Sequence, residues 1–411
     1  MENRDYIKSL IYQQNISQDI SSCYLYFEAL IRSNLLKLKS ILPEQFEIFY
    51  AIKANPHKEI ISFLNHFGCG ADVASYGELE TVIREGTDPG KISFAGPGKT
   101  DEDIKAAVRN NICSLSVESP EEIEKINDIA GQLRKKQNVA IRVNPQKNFS
   151  GYGMKMGGYP SPFGIDEDKC PYALKKISES EHLEFTGFHA HVGSQILDAD
   201  AIGSVFRYLL EYALAVQNQY HFEIQYINFG GGFGIPYYEK QKPLDLKRLQ
   251  DILKELTDTD EFLKNFPKTR FIIEPGRFLV ADAGVYLSKI LYIKESRGKK
   301  FIVIEGGMHH NLSAFGHLGQ VIRRNYHIDV LRFDGQVKET TSDTFDIVGS
   351  LCTPLDKLAE HIELTDDVRI GDYICVYNSG AYGYTASPLF FLNHPLPKVN
   401  VIKWKKDQDV I

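Results

Sequence analysis

Between residues 46 and 277 two hydrophobic patterns alternate along the chain. Short runs rich in β-branched and aromatic residues are FEIFYAIKA (46 to 54), GADVAS (70 to 75), KISFAGP (91 to 97), CSLSVES (113 to 119), VAIRVNP (139 to 145), FTGFHAHVG (185 to 193), YINFGGGF (226 to 233) and RFIIEPGR (270 to 277). Between them lie longer stretches, such as GELETVIREG and TDEDIKAAVRNN, where a turn or cap residue precedes an apolar stripe at helical spacing. That alternation predicts parallel strands joined by crossover helices. Eight such units over roughly 240 residues predict a TIM-type (β/α)8 barrel. An open doubly wound sheet would carry a G-x-G-x-x-G turn after its first strand, and that segment ends in KANP instead.

After residue 280 the helical pattern stops. GVYLSKILYIKESRGKKFIVIEGG, FDIVGSLC and DYICVYNSGAYG read as strands without intervening helices, which predicts an antiparallel β domain. CYLYFEAL (23 to 30) reads as a strand leading into a helix, so the N-terminal segment is expected to join that sheet. The division is therefore a barrel over residues 29–280, and a β domain from residues 1–28 together with 281–411.

A chain of 411 residues is too long for one ordinary core, in keeping with two domains. A net charge of −7 with both signs interspersed marks neither a nucleic-acid footprint nor an anionic-membrane surface, and suits a small-molecule enzyme. Six scattered cysteines (Cys23, Cys69, Cys113, Cys170, Cys352, Cys375) form no CxxC pair, as expected of reduced thiols in a cytoplasm. The opening MENRDYIKSL has no signal-peptide pattern, and no apolar run approaches the ~20 residues a membrane span needs.

Polar residues gather at the C-terminal ends of the predicted strands, where such barrels carry their chemistry. They are Lys53 on the first strand, Asp72 and Ser75 after the second, Arg142 on the fifth, His189 and His191 on the sixth, Gly230 to Gly232 after the seventh, and Glu274 with Arg277 on the eighth. Each alone has a structural reading. Lys53 can be a solvated cap, His189 a hydrogen-bonded core residue, the triple glycine a flexible turn, and Glu274 with Arg277 an i, i+3 ion pair. Their joint occurrence points elsewhere. A triple glycine and the Gly276-Arg277 turn offer unhindered backbone N–H groups, which with a guanidinium make an anion nest suited to phosphate. A lysine amine nearby can form a Schiff base, an acid can hold a ring nitrogen protonated, and an imidazole can stack on a flat ring. Those are the needs of pyridoxal 5'-phosphate. A metal site is less well supported: no HExxH-type spacing occurs, and His189 and His191 are expected to point to opposite sides of their strand.

The motifs YAIKANP, GADVASYGELE, FAGPGKTDEDI, HAHVGSQ, INFGGGFG, EPGRFLV, GSLCTPLD and SGAYGYTASPLFFLNHPLP, in that order and over nearly the whole chain, resemble the fold-type III pyridoxal-phosphate decarboxylases. That group contains the diaminopimelate, ornithine and arginine decarboxylases. The resemblance implies that Lys53 carries the cofactor covalently, that His191 stacks on its ring and that Glu274 pairs with the ring nitrogen. It also implies that Ser194, Gly230, Gly231, Gly232, Gly276, Arg277 and Tyr382 hold the phosphate, with Asp72 and Arg142 near the lysine and ring. Cys352 matches the cysteine that enters the active site from the partner subunit of a homodimer and protonates the substrate carbon.

The chain also departs from that pattern. Where diaminopimelate decarboxylases carry an arginine for the far carboxylate, "MHHNLSAFGH" has Ser313, and where they carry a glutamate for the far amine, "CTPLD" has Thr353. Asp356 matches the second aspartate of the ornithine decarboxylase pattern and is a candidate substrate contact. GGMHHNLSAFGHLGQVIRRNY and GYGMKMGGYPSPFGID are instead similar to a biosynthetic subgroup whose members decarboxylate a carrier-protein-linked glutamyl group or siderophore intermediates. Arg323 and Arg324 are candidates for contacting a larger substrate, or are solvated surface arginines. The alternatives are a decarboxylase of free diaminopimelate, ornithine or lysine, a non-catalytic regulatory homologue, and a racemase. Retention of Lys53 and Cys352 weighs against the last two.

Overall fold

A computed structural model of the chain describes residues 2–14, 21–149, 151, 154–155, 157–238, 240–316, 324–338 and 341–405. By contacts the chain divides into two compact units, one of Asn34–Ile235 with Lys242–Phe278, the other of Met1–Ser33, Pro236–Gln241 and Leu279–Ile411. Strand β1 (Ser22–Phe27) belongs to the second unit, and the next eight strands build the first. These are β2 (Phe46–Ala51), β3 (Gly70–Val73), β4 (Ile92–Phe94), β5 (Ser114–Val117), β6 (Gln137–Asn144), β7 (Leu183–His189), β8 (Tyr226–Asn228) and β9 (Arg270–Ile273). Each pairs in parallel with its neighbours in sequence, and β9 returns to β2 with Phe271 opposite Phe46, so the sheet closes on itself. The predicted (β/α)8 barrel is thus present, with one strand in each of the eight segments.

Aromatic side chains pack the barrel strands against the helix Ala199–Tyr220 that follows β7. Phe46, Phe206, Phe229 and Phe271 stack on one another, the Phe206 and Phe229 rings lying 4.1 Å apart and nearly parallel. Phe206, Phe229 and Phe271 are buried, and each such ring contributes on the order of 2–3 kcal/mol of transfer free energy. Phe49, Ala140, Tyr226 and Ile272 form a second buried cluster. The helices then start on capped turns that fix the loops at the C-terminal rim. Ser75, Thr100 and Ser119 accept from the Glu78, Asp103 and Glu122 backbone N–H groups, and Asp103 answers Thr100 in a capping box.

In the second unit, β1 joins β10 (Gly284–Ser296), β11 (Lys299–Ile304), β12 (Ile328–Leu331), β13 (Ser342–Val348), β14 (Lys357–Thr365), β15 (Tyr373–Val376) and β16 (Lys398–Ile402) in one sheet. β1 lies against β10 with Tyr24 opposite Tyr286, the two rings 5.1 Å apart. Most pairs are antiparallel, as predicted. Two are parallel, β1 with β16 and β11 with β13, which makes the sheet mixed. Strands β12, β14 and β16 carry short or charge-interrupted patterns, which is why the hydrophobic pattern did not reveal them. Among the described residues no helix is long and apolar enough to cross a membrane.

Candidate active site

The turns leaving the barrel's C-terminal rim bring Lys53, Asp72, Arg142, His191 and Glu274 around one cavity of about 340 Å3, together with His189, Lys99 and Phe163. β2 ends at Ala51 and runs into a single helical turn, Ile52–Ala54, whose outer residues are buried while the Lys53 side chain is 42 % exposed. Pro56 and the Tyr50 hydroxyl, which donates to the Asn55 carbonyl at 2.9 Å, end that turn and fix the lysine at the rim. Its Nζ lies 3.8 Å from Asp72 Oδ2 on β3.

The two carboxyl groups of the cavity are driven apart. Burial, followed by repulsion from Glu274, holds the Asp72 carboxyl well above the usual carboxylate range, against the attraction of Lys53 and a 3.2 Å hydrogen bond from Ser93 Oγ. Burial also acts to raise Glu274, but His189 in the first place, then Lys53, outweigh it and hold that carboxyl well below the usual range. Glu274 Oε1 accepts from Asn228 Nδ2, and the same amide donates to the Tyr226 hydroxyl at 2.9 Å. Glu274 Oε2 lies 3.5 Å from His189 Nε2. One acid is driven toward its charged form and its neighbour toward its neutral form, a division of roles typical of acid-base sites.

His191 is held neutral. Its Nδ1 accepts the Gly231 backbone N–H at 3.1 Å, which puts the ring proton on Nε2. Burial, then the charges of Lys53 and Arg142, keep the imidazole well below its ordinary pKa. The expectation that His189 and His191 face opposite sides is corrected here: with a period of two, residues i and i+2 share a face, and both histidines line the cavity.

A second correction concerns the triple glycine. The Gly231 N–H is used by His191, and the Gly230 N–H donates to Asn228 Oδ1 at 2.8 Å, so two of the three amides are committed inside the protein. Glycine is nonetheless required: Gly230 and Gly232 have φ of +67° and +95°, and a Cβ on Gly231 would stand 2.2 Å from the Glu274 carbonyl oxygen. Gly276 packs against the lysine turn, where a Cβ would come within 2.9 Å of Ala54 Cβ. Ser194 lies on the loop after β7, and Arg277 begins the short helix Arg277–Val280.

Arg142 donates through Nη1 to Glu118 Oε1 at 2.8 Å, with both side chains buried, and its guanidinium lies 5.1 Å above the Phe163 ring. Glu118 also accepts the N–H groups of Gly96 and Gly164 at 2.7 and 3.0 Å, tying three rim loops together. Glu118, Asn228, Ser116 and Ser93 were not singled out from the sequence. Glu118 and Asn228 close their strand segments, the position at which the other site residues were recognised, and that signal could have found them.

The remaining predicted residues belong to the other unit. Cys352 is exposed on the loop between β13 and β14. Asp356 is not presented to a substrate: it is 2 % exposed, and its oxygens accept the backbone N–H groups of Met308 and Leu351 at 2.6 and 2.8 Å, so in this chain it shapes the Cys352 loop. Tyr382 has φ +54° and its carbonyl accepts from Ser313 Oγ at 2.9 Å. The Arg324 guanidinium lies 5.6 Å over the Tyr238 ring, and Arg323 lies outside the described residues.

Residues 28–281 match the family model described as the pyridoxal binding domain of pyridoxal-dependent decarboxylases. The chain belongs to that family. It is a pyridoxal-phosphate-dependent carboxy-lyase of fold type III, as the motifs implied. It is 35 % identical to the L-glutamyl-[BtrI acyl-carrier protein] decarboxylase of Niallia circulans, over 94 % of this chain and 90 % of that one. It is 33 % identical to the diaminopimelate decarboxylase of Aquifex aeolicus, over 89 % of this chain and 82 % of the other. Among solved structures, diaminopimelate decarboxylase from Helicobacter pylori complexed with L-lysine superposes with a TM-score of 0.81 at 26 % identity, covering 96 % of this chain and 94 % of that chain.

Proposed function

We propose that this enzyme removes the α-carboxylate of an amino-acid-derived substrate whose far end is covalently masked, as in a glutamyl group carried on an acyl carrier protein, within a biosynthetic pathway of the cytoplasm. The observation that carries this reading is residue 313. Where the resemblance calls for an arginine to clamp a far carboxylate, the chain has a serine that is 6 % exposed and donates to the Tyr382 carbonyl. A small neutral hydroxyl turned onto backbone cannot replace a bidentate guanidinium. The likeness to the carrier-linked glutamyl decarboxylase of Niallia circulans supports the same conclusion.

The residues fit pyridoxal phosphate. One cavity offers an amine, a flat neutral imidazole and a carboxylate kept ionised. Lys53, His191 and Glu274 would hold the cofactor's reactive ring, with Asp72 and Arg142 beside them. Ser194, Gly232, Gly276 and Arg277 would hold its phosphate. When bound, the cofactor supplies an electron sink for the carbanion left as CO2 departs. Glu274, ionised and fixed by Asn228, keeps a proton on the ring nitrogen. A neutral His191 stacks without adding a competing positive charge. Asp72, whose carboxyl burial holds well above the usual carboxylate range, stands 3.8 Å from Lys53 Nζ at the rim. Cys352 of a second copy delivers the proton that replaces CO2.

That last role requires a homodimer, a reading supported by the exposed apolar side chains of the second unit: Leu355, Phe390, Phe391, Leu392 and Leu396 are all exposed, Phe390 by 80 %. Mixing inactive Lys53→Ala and Cys352→Ala chains is expected to restore about a quarter of wild-type activity, because half the dimers are mixed and each carries one intact site. Absence of any recovery, with subunit exchange verified, would rule out sharing. Substrate choice is checked by measuring CO2 release from lysine, ornithine, diaminopimelate, glutamate and carrier-linked glutamate. Carrier-linked glutamate is expected to lead; diaminopimelate as the best substrate would overturn the masked-substrate reading.

A further inference from the structure

Two buried polar residues of the barrel, Ser116 on β5 and His189 at the end of β7, are not among the residues assigned above to the cofactor or the substrate. Ser116 Oγ lies 3.0 Å from His189 Nδ1. On the other side of the ring, His189 Nε2 lies 3.5 Å from Glu274 Oε2 and has no hydrogen-bond partner among the described residues. A buried ring nitrogen without a partner is costly and calls for a reason. If the Ser116 hydroxyl donates to Nδ1, the neutral ring carries its proton on Nε2, aimed at the carboxylate. Asn228 already holds the other oxygen of that carboxylate.

We infer that Ser116 and His189 form a positioning relay that presents an N–H to Glu274 Oε2 and holds this carboxylate charged and oriented toward the cofactor's ring nitrogen, an inference that rests on the cofactor assignment above. The carboxylate is faced from every side of the barrel mouth: by Lys53 after β2, Asp72 on β3, His191 after β7 and Tyr226 on β8, besides His189 itself. Lys53 acts in the same direction as His189, which is foremost, and Asp72 opposes. Without His189, burial gains the upper hand and Glu274 takes up a proton at higher pH. Its charge partner lost, the cofactor should then bind more weakly as pH falls.

The test is equilibrium binding of pyridoxal phosphate to the apoprotein, followed by the absorbance of the bound cofactor from about pH 8 to about pH 6. The wild type is expected to change little more than its lysine linkage requires. His189→Leu should raise Kd about tenfold or more at neutral pH, with the ratio to wild type widening toward acid. Ser116→Ala, which frees Nδ1 without removing the ring, should shift both quantities the same way by about threefold. Variants that match the wild type in Kd and in its pH dependence would overturn the relay. Should His189→Leu fail to fold, Ser116→Ala decides alone, an unchanged value being fatal. A wild-type chain that takes up no pyridoxal phosphate would instead remove the cofactor assignment, and the relay with it.

Discussion

Lys53→Ala is expected to lose decarboxylation by roughly three orders of magnitude or more and to lose the absorbance near ~420 nm that marks a lysine-linked cofactor. No second amine can take its place at the cavity. Lys99 also lines it, but that side chain is 1 % exposed, paired with Glu122 at 2.8 Å and bonded to the Gly96 carbonyl. The fold should be indifferent to the change, because the Lys53 side chain stands at the rim rather than in the core; stability within about 0.5 kcal/mol of wild type is expected. Thermal unfolding and an absorbance scan check both parts. A variant that keeps the band would exclude Lys53 as the attachment point.

The second large effect is Glu274→Gln. The amide retains size and can still accept from Asn228, but it carries no charge to hold a proton on the ring nitrogen. A fall in kcat of about 10²–10³ is expected, with KM changed much less, because the lost interaction grows as electrons move into the ring. The pH dependence has a definite sign. The folded-state carboxyl lies below its unfolded value, so ionised Glu274 contributes stability above the ordinary carboxylate range of about 4.3, and the contribution disappears as pH falls toward the folded value. Denaturation midpoints of wild type and Glu274→Gln should therefore converge toward acid pH. Midpoints that differ equally at all pH values would show that Glu274 is not held ionised, and an unchanged kcat would remove it from the chemistry.

The buried Glu274 also shows where reading residues in order reaches its limit. Its place at the end of RFIIEPGR, like that of Lys53 at the end of FEIFYAIKA, follows from the rule that barrel strands present polar residues at their C-terminal ends. Its partners do not follow from that rule. Asn228 lies 46 positions away in sequence and His189 lies on a third strand, and neither spacing carries a periodic signal. The triple glycine was legible as a site of close backbone approach, yet two of its N–H groups prove to be occupied by Asn228 and His191. Asp356 was legible as a motif residue, yet its oxygens serve the Met308 and Leu351 amides. Strands β12, β14 and β16 went unrecognised because a strand at or near a sheet edge needs no continuous apolar run.

The order of residues alone therefore determined the barrel, its eight strands and the polar groups at their ends, because hydrophobic alternation, helix caps and turn residues act over a few positions. It also determined the family, through motifs that each lie within one loop. Only the tertiary structure decided which strand ends face one another, which of two neighbouring carboxyl groups keeps its charge, and which donors remain for a ligand. Those outcomes depend on sheet closure and on the burial it imposes, and both arise between residues far apart in the chain.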